Sequence, residues 1–394
     1  MVQITPFLTQ NKAPSDLQDK IVELIRADAA LSTAVPESLR QSLTYLLRMV
    51  NSYYSNKIEG NPTLPAAVLR AQELSADKSD SKDIAEILRN AEVQTKLALG
   101  NIDPDYVCTR PFLEDMHRRF FEGLPDGFLE VRNPDTGETM QLVPGVIRET
   151  GVRVGEHIPP LAQELAGYLE WFAQVYQPKR LYGLNRVLAA AAAHHRLMYI
   201  HPFLDGNGRV GRLFGDCYMR CAGFPGCGFW SMSRGFGRNT AAYYAALNRA
   251  DMSRQGDFDG RGILSDAGLL DFTSYFVDVA LDQVNYFTGL LDLKPLLQRI
   301  DVYFATRVKG GYITSSGEAL GPLDERCVDV YKKLLADGPQ PRSALAKITG
   351  GGENTLRAIL RVMTAEGLIQ MPKKGEVAIA LSSASIPVLF PNLW

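Results

Sequence analysis

Apolar positions along this chain recur at helical spacing almost everywhere, and alternate as in a strand in only a few short places. From Leu184 to Ile200 the sequence is alanine-rich and apolar around most of its circumference, which predicts a buried helix. A second apolar stretch, Leu213 to Ala222, begins where the short segment 201–212 ends, so the region reads as helix, tight loop, helix. Upstream, Leu39, Leu43, Leu46, Leu47 and Val50 outline another helix, expected to end at Gly60 as a C-cap before Pro62 stops it. Strand character is expected at Val152 and Val154, which alternate with polar residues ahead of Pro159-Pro160, as in a short exposed hairpin.

The last segment has its own pattern. Asp324 to Asp337 predicts a helix that Gly338-Pro339 breaks, and Arg342 to Ile348 a short second one. After the Gly350–Gly352 turn, Glu353 to Glu366 predicts a third helix, with Leu356, Ile359, Leu360 and Met363 facing inward. Gly367-Leu368-Ile369 and Val377-Ala378-Ile379 flank Lys373-Lys374-Gly375 as a two-stranded wing, so the unit resembles a winged helix-turn-helix. The expected organisation is an N-terminal helical region over 1–110, with a polar linker at Ser75–Lys82 inside it. A helical core follows over 111–300, then a linker over 301–323 and the small C-terminal unit with its tail over 324–394. The fold class is mainly α, and no internal repeat is evident.

Composition narrows the classes of function. At 394 residues, 46% of them hydrophobic, the chain is long enough for two or three domains with a real core. A net charge of −2 argues against general coating of nucleic acid or membrane. The C-terminal unit, taken over 324–382, has nine basic and seven acidic residues, a thin surplus for binding DNA. No apolar run approaches a membrane span and no basic-then-apolar leader opens the chain, so the default expectation is a cytoplasmic protein without a membrane. The five cysteines lack paired metal spacing, and Cys217 and Cys221 read as core packing in a reducing compartment. Adjacent His194 and His195 point about 100° apart on a helix and cannot both join His201 on one metal ion.

The loop between the two helices carries the chemistry. It reads His201-Pro-Phe-Leu-Asp205-Gly206-Asn207-Gly208-Arg209-Val-Gly-Arg212. Gly206 and Gly208 let the backbone turn sharply, so bare N–H groups converge on one concavity. The helix that starts near Asn207 aims its unsatisfied N–H groups and positive dipole end at the same place, which makes an anion site. Arg209 and Arg212, three apart on one helical face, can fork onto phosphate oxygens. Asp205 supplies a hard carboxylate for Mg²⁺ against phosphates. His201 supplies an imidazole able to take a proton from a hydroxyl. Base, metal ligand and phosphate cradle together point to nucleotidyl or phosphoryl transfer to a hydroxyl.

The same run matches, at every fixed position, the Fic signature H-P-F-x-[DE]-G-N-G-R-x-x-R. The chain therefore resembles Fic proteins, most of which are adenylyltransferases that move AMP from Mg·ATP to a Ser, Thr or Tyr hydroxyl of a target protein. The resemblance implies a Fic-type helical core with a short β-hairpin flap. It implies His201 as general base and Asp205 as Mg²⁺ ligand. Gly206, Asn207 and Gly208 become the α/β-phosphate cradle, with Arg209 at the β-phosphate and Arg212 at the γ-phosphate.

Ser55-Asn-Lys-Ile-Glu59-Gly60 resembles the family's inhibitory motif [ST]-x-x-x-E-[GN]. It implies that Glu59 pairs with Arg212 and so misaligns bound ATP, which would make this an N-terminally self-inhibited member. The same glutamate can position water for the reverse reaction, removal of AMP. Pro144 to Arg148 and Val152 to Pro160 resemble the flap, which implies nucleotide contacts at Val154, Gly155, Glu156 and His157 and a target docked by strand addition. Tyr243-Tyr244 with Leu247 resembles a patch beside the adenosine, which implies nucleotide contact at Tyr243, and Asp251 falls where relatives direct a polar residue at the nucleotide. The stretch Gly223 to Gly237, glycine-rich with Pro225 and Trp230, departs from the shorter connection of many relatives.

The expected partners are ATP and a hydroxyl-bearing target protein. A DNA or protein partner for the C-terminal unit and a homodimer are left open. The competing reading is a DNA-binding transcriptional regulator whose Fic site senses nucleotide.

Overall fold

The structure is a computed structural model, described over residues 2–394 apart from 66, 70–80, 133–136, 315–316, 351 and 373–374. Helices dominate. They run α1 (Ser15–Ala34), α2 (Glu37–Ile58), α3 (Lys82–Leu99), α4 (Arg110–Phe121), α5 (Leu165–Val175) and α6 (Asn185–Ile200). Then follow α7 (Asn207–Cys221), α8 (Met232–Arg238), α9 (Thr240–Asp251), α10 (Asp266–Leu291) and α11 (Leu293–Lys309). Between α4 and α5 an antiparallel pair, β1 (Glu130–Arg132) with β2 (Thr139–Gln141), precedes the segment read as a flap. Most of the polar stretch Ser75–Lys82 lies outside the described residues, and Lys82 opens α3.

The alanine-rich pattern makes α6 the central helix. Val187 through Leu197 are buried without a break, as a helix covered on all sides must be. Helix α7 packs on it directly, and α10, α9 and α5 close around it. Helix α2 lies across α3, α7 and α8 with Leu39, Leu43, Leu46 and Val50 buried. It ends as expected: Gly60 takes a positive φ of 86°, with Asn61 N–H on Asn56 O (3.1 Å) and Gly60 N–H on Lys57 O (3.0 Å). This double bond pattern is a Schellman C-cap, and it fixes the direction in which Glu59 leaves the helix.

Beyond α11 come β3 (Tyr312–Ile313) paired with β4 (Ala319–Leu320), then α12 (Cys327–Asp337), β5 (Gln340–Pro341), α13 (Arg342–Thr349) and α14 (Glu353–Ala365). The chain closes with β6 (Ile369–Gln370), β7 (Glu376–Ile379) and α15 (Ile386–Leu389), and the last sheet has the order β5-β7-β6, all antiparallel. Leu356, Ile359, Leu360 and Met363 face its core. Lys373 and Lys374 lie outside the described residues.

The linker expected over 301–323 is not one. Leu296, Ile300, Tyr303, Phe304 and Arg307 form a buried helical stripe that carries α11 through Lys309, and the remainder is the β3–β4 hairpin. The C-terminal unit is docked on the core. Arg307, fully buried, forks onto both Glu366 oxygens at 2.6 and 2.8 Å. Ser42 Oγ of α2 donates to Ile379 O (3.2 Å), and Ser38 Oγ donates to Leu335 O. The Trp394 ring meets the Tyr53 ring of α2 edge-on at 5.5 Å. Helix α2 is thus gripped by the core and by the C-terminal unit together. Among the described residues no helix is long and apolar enough to cross a membrane.

Candidate active site

The loop 201–206 is set by two left-handed residues. His201 closes α6 with φ 48°, an unusual conformation for a residue with a side chain, and Gly206 opens α7 with φ 78°. Gly206 also has Phe121 so near that a Cβ would overlap its ring. Between them the Asn207 amide staples the turn, donating to Phe203 O and accepting from Phe203 N–H, both at 2.8 Å. The first bond of α7's ladder runs from Val210 N–H to Gly206 O (2.9 Å), so the amides of 207–209 head the helix outside that ladder. The concavity expected from the glycines therefore forms, but the Asn207 side chain is committed to building the loop.

His201 is oriented by its own helix. Its Nδ1 lies 3.3 Å from Met198 O, which can only accept, so the neutral ring carries its proton on Nδ1 and leaves Nε2 as a free lone pair. Burial, the largest influence, pushes this imidazole down to about 4, so it is neutral at physiological pH. That is the state a general base needs.

Around it the charged groups are paired. Asp205 Oδ1 accepts from Gly206 N–H (2.6 Å) and its Oδ2 lies 3.3 Å from Arg209, while the side chain remains 44% exposed. Arg209 is buried beneath it, bound to Glu86 of α3 at 2.7 Å and stacked near the Phe120 and Phe121 rings. Arg212 donates Nε–H to Ser55 Oγ (2.9 Å) and Nη2–H to Ser55 O (2.8 Å) and Glu59 Oε1 (2.6 Å). The Glu59 carboxylate lies over Gly208, where a Cβ would collide with it. Arg212 Nη1 is buried without a hydrogen-bond partner. The pairing expected between Glu59 and Arg212 is present, and it occupies the mouth of the cradle.

The flap segment is anchored by residues to which the sequence reading gave no role. Arg148 donates to His201 O (2.8 Å), Thr150 O (2.9 Å) and Pro160 O (2.7 Å), and its own N–H bonds Pro202 O (3.0 Å). His117 of α4 accepts Gly145 N–H on Nδ1 (2.7 Å), places Nε2 3.2 Å from Asp205 O, and stacks on Phe203 at 4.0 Å. Val154 and His157 exchange two backbone bonds of 3.0 Å around a Gly155-Glu156 turn, Gly155 having φ 58°. His157 Nε2 donates to Tyr199 O (2.9 Å), and its Nδ1 is 3.6 Å from Asp251, which also lies 3.1 Å from His195. Glu156, His157, Tyr199 and Asp251 line an open cleft of about 420 Å³ beside His201's helix, within the size range of small-molecule sites.

Tyr243 departs from expectation. It is fully buried, stacked on Phe236 at 4.3 Å with its hydroxyl 2.9 Å from His194, so no ring face is offered to a nucleotide. Its neighbour Tyr244 is the exposed one, and donates to Ile58 O at the end of α2 (3.0 Å). The unusual 223–237 stretch is held by Asp28 of α1, which accepts from Gly226 N–H (3.0 Å) and Trp230 Nε1–H (2.7 Å).

Residues 108–219 match the family model described as Fic/DOC family. A protein adenylyltransferase Fic from Drosophila grimshawi is 30% identical over 212 residues, covering 53% of this chain and 38% of that protein. One from Nematostella vectensis is 27% identical over 208 residues, covering 53% and 44%. The chain thus spans less than half the length of these curated relatives. The crystal structure of a Fic family protein from Desulfovibrio desulfuricans G20 superposes over 97% of this chain and 98% of that one, with a TM-score of 0.54 and 15% identity, a likeness of fold. With the signature loop and the helical core, these matches make residues 108–219 similar to the Fic/DOC family, within a chain whose fold is like that of a Fic family protein.

Proposed function

We propose that this protein is an adenylyltransferase that moves AMP from ATP to a Ser, Thr or Tyr hydroxyl of a target protein or of itself, and that Glu59 restrains it. The observation that carries the reading is the buried, neutral His201, with its free Nε2, beside a helix start whose amides and Arg212 suit phosphate oxygens. In the transfer, His201 Nε2 takes the hydroxyl proton as the hydroxyl oxygen bonds the α-phosphorus. The bond from that phosphorus to the bridging oxygen breaks, and pyrophosphate leaves.

The residues present fit the implied metal. Asp205 is a half-exposed carboxylate at the rim, and Mg²⁺ is commonly held by one or two carboxylates plus the phosphates it arrives with. When bound, it would neutralise charge on the phosphate oxygens. Arg212, with one buried Nη unpartnered, fits a γ-phosphate once Glu59 moves away. The cleft lined by His157 and Asp251 suits the nucleoside. The flap exposes Val154 and, at 74%, Ile158, which suits docking of a target segment against it. In the restrained state ATP binds without its γ-phosphate on Arg212. Removal of AMP from a modified target by a Glu59-held water belongs to the same site.

The test is incubation of Glu59→Gly with Mg²⁺ and α-labelled ATP, beside wild type and Glu59→Gly/His201→Ala. Label on protein in the single mutant alone, as a mass gain of one AMP, is the expected result. No label in any lane, with or without added acceptor proteins, overturns the reading.

A second reading concerns the C-terminal unit. Arg342, Arg357 and Arg361 line a groove along α13 and α14, in the position of a recognition surface if the unit is a winged helix. Gel-shift with genomic fragments at moderate salt tests it: sequence-specific retardation supports a DNA-binding regulator, and none removes it.

A further inference from the structure

A cavity of about 340 Å³ opens between α2, α3, α7 and the 223–231 loop, away from the nucleotide cleft. Leu47, Leu97, Phe229 and Trp230 give it apolar lining. Arg48 of α2 and Arg220 and Asp216 of α7 line it as well. Two cations there meet a single carboxylate. Arg48 has one side-chain partner, the neutral Thr95 hydroxyl at 3.1 Å. Arg220 lies near enough to Asp216 to attract its carboxylate. Asp216 is engaged with Asn51 Nδ2 at 2.7 Å. Two guanidiniums from different helices therefore line one half-enclosed space with a single carboxylate.

We propose that this cavity binds a small organic anion, a carboxylate or phosphate head on a compact apolar body, and that its occupant clamps α2 onto α7. Guanidinium forks suit such heads, and the aromatic and aliphatic wall takes the body. The position gives the site its consequence. Asn51–Asp216, Ser55–Arg212 and Glu59–Arg212 are successive contacts of one seam, each a helical turn from the next along α2. Without an anion, Arg48 and Arg220 repel each other across that seam; an anion bound to both holds the helices together. By linkage, whatever binds the seated α2 more tightly favours the state in which Glu59 holds Arg212. This regulatory consequence rests on the restraining role proposed for Glu59, whereas the binding site does not.

The experiment is titration calorimetry of the full chain with 3-phenylpropionate, phenyl phosphate and the neutral 3-phenylpropanamide. At least one anion should bind with a dissociation constant below 10 mM, corresponding to about −2.7 kcal/mol or better. The amide should bind at least tenfold more weakly. Arg220→Gln should weaken the anion at least tenfold, and Leu97→Trp, which fills cavity volume and spares both arginines, should abolish binding. The head that binds names the source, carboxylate or phosphate. Neither anion binding, equal binding of the amide, or indifference to both variants overturns the site. Hydrogen exchange at the amides of 51–59 should slow when the anion binds, and unchanged exchange overturns the clamp. These readouts do not depend on transfer, so a Glu59→Gly variant without activity would overturn the proposed function and leave the site standing.

Discussion

Arg212 holds Glu59 Oε1 at 2.6 Å through Nη2 while its Nη1 is buried with no partner. A buried donor left unsatisfied costs about 1–3 kcal/mol. The pairing therefore leaves part of the guanidinium's capacity unused, and under the proposed function a phosphate oxygen at Nη1 would supply what the glutamate does not.

Arg212→Ala should accordingly act twice. In the wild-type background it removes three donated bonds that tie α7 to Ser55 and Glu59. Because Glu59 is partly exposed, the cost should be about 1–3 kcal/mol rather than the larger figure for a fully buried pair. A melting temperature lower by several degrees is expected, with faster proteolysis at the end of α2. In the Glu59→Gly background the same change should reduce transfer at least a hundredfold, from loss of a charged group beside the phosphates. Unchanged melting and unchanged transfer would remove Arg212 from both roles.

Gly208→Ala separates eviction from activation. A Cβ at this position collides with the Glu59 carboxylate, the mobile end of a flexible side chain, so the glutamate should swing away at little cost in stability. The methyl then occupies the cradle itself. Melting should change by less than about 1 kcal/mol, and transfer should stay near the wild-type level instead of rising as in Glu59→Gly. A variant as active as Glu59→Gly would mean that nothing binds against Gly208.

His117→Phe tests the coupling of flap to loop. The ring that stacks on Phe203 is kept, but the bonds to Gly145 N–H and toward Asp205 O are lost. A buried amide without its acceptor costs about 1–3 kcal/mol. The variant should melt several degrees lower, and in the Glu59→Gly background should show a larger loss in transfer to a protein acceptor than in Mg·ATP affinity, because it is the flap that loosens. An equal loss in both would place His117 in the nucleotide site instead.

What the sequence shows and hides here follows from how local each feature is. The signature loop is legible because its base, turn and cations are consecutive, so chain order is already geometry. The end of α2 is legible for the same reason, a Gly60 cap and Pro62 within three residues of Glu59. Glu86 was missed because its partner Arg209 is far along the chain, and a glutamate on an amphipathic helix looks like any other. Arg148 lies within the flap motif, but only the fold shows that its guanidinium binds carbonyls on both sides of the loop. Tyr243 was misread because one tyrosine of an adjacent pair must turn inward, and spacing alone does not say which. The linker at 301–323 hid a helix whose apolar stripe ends in an arginine, Arg307, whose burial depends on Glu366 from another unit.

The acid limb of transfer carries the sharpest test of His201. Burial favours the neutral ring and lowers it from an ordinary 6.5 to about 4. A base is active when unprotonated, so transfer by Glu59→Gly at saturating Mg·ATP should stay flat from pH 8 to about pH 5 and fall only as pH drops toward 4. An exposed imidazole would already have lost half its activity at 6.5. Stability has the same sign. The folded state refuses a proton that the unfolded chain accepts below 6.5, so the contribution is complete above 6.5 and is lost as pH falls from there to 4. The slope is at most about 1.4 kcal/mol per pH unit for each such group. His117, likewise lowered to about 4 chiefly by burial, adds to it. His201→Ala should abolish transfer at every pH, leave Mg·ATP affinity within about threefold because a base acts after binding, and lessen the melting temperature's decline between pH 6.5 and 4, the rest of which belongs to His117 and the other buried histidines. A rate profile with its midpoint near 6.5, or a His201→Ala variant that loses nucleotide affinity, would show that the buried imidazole is not the base.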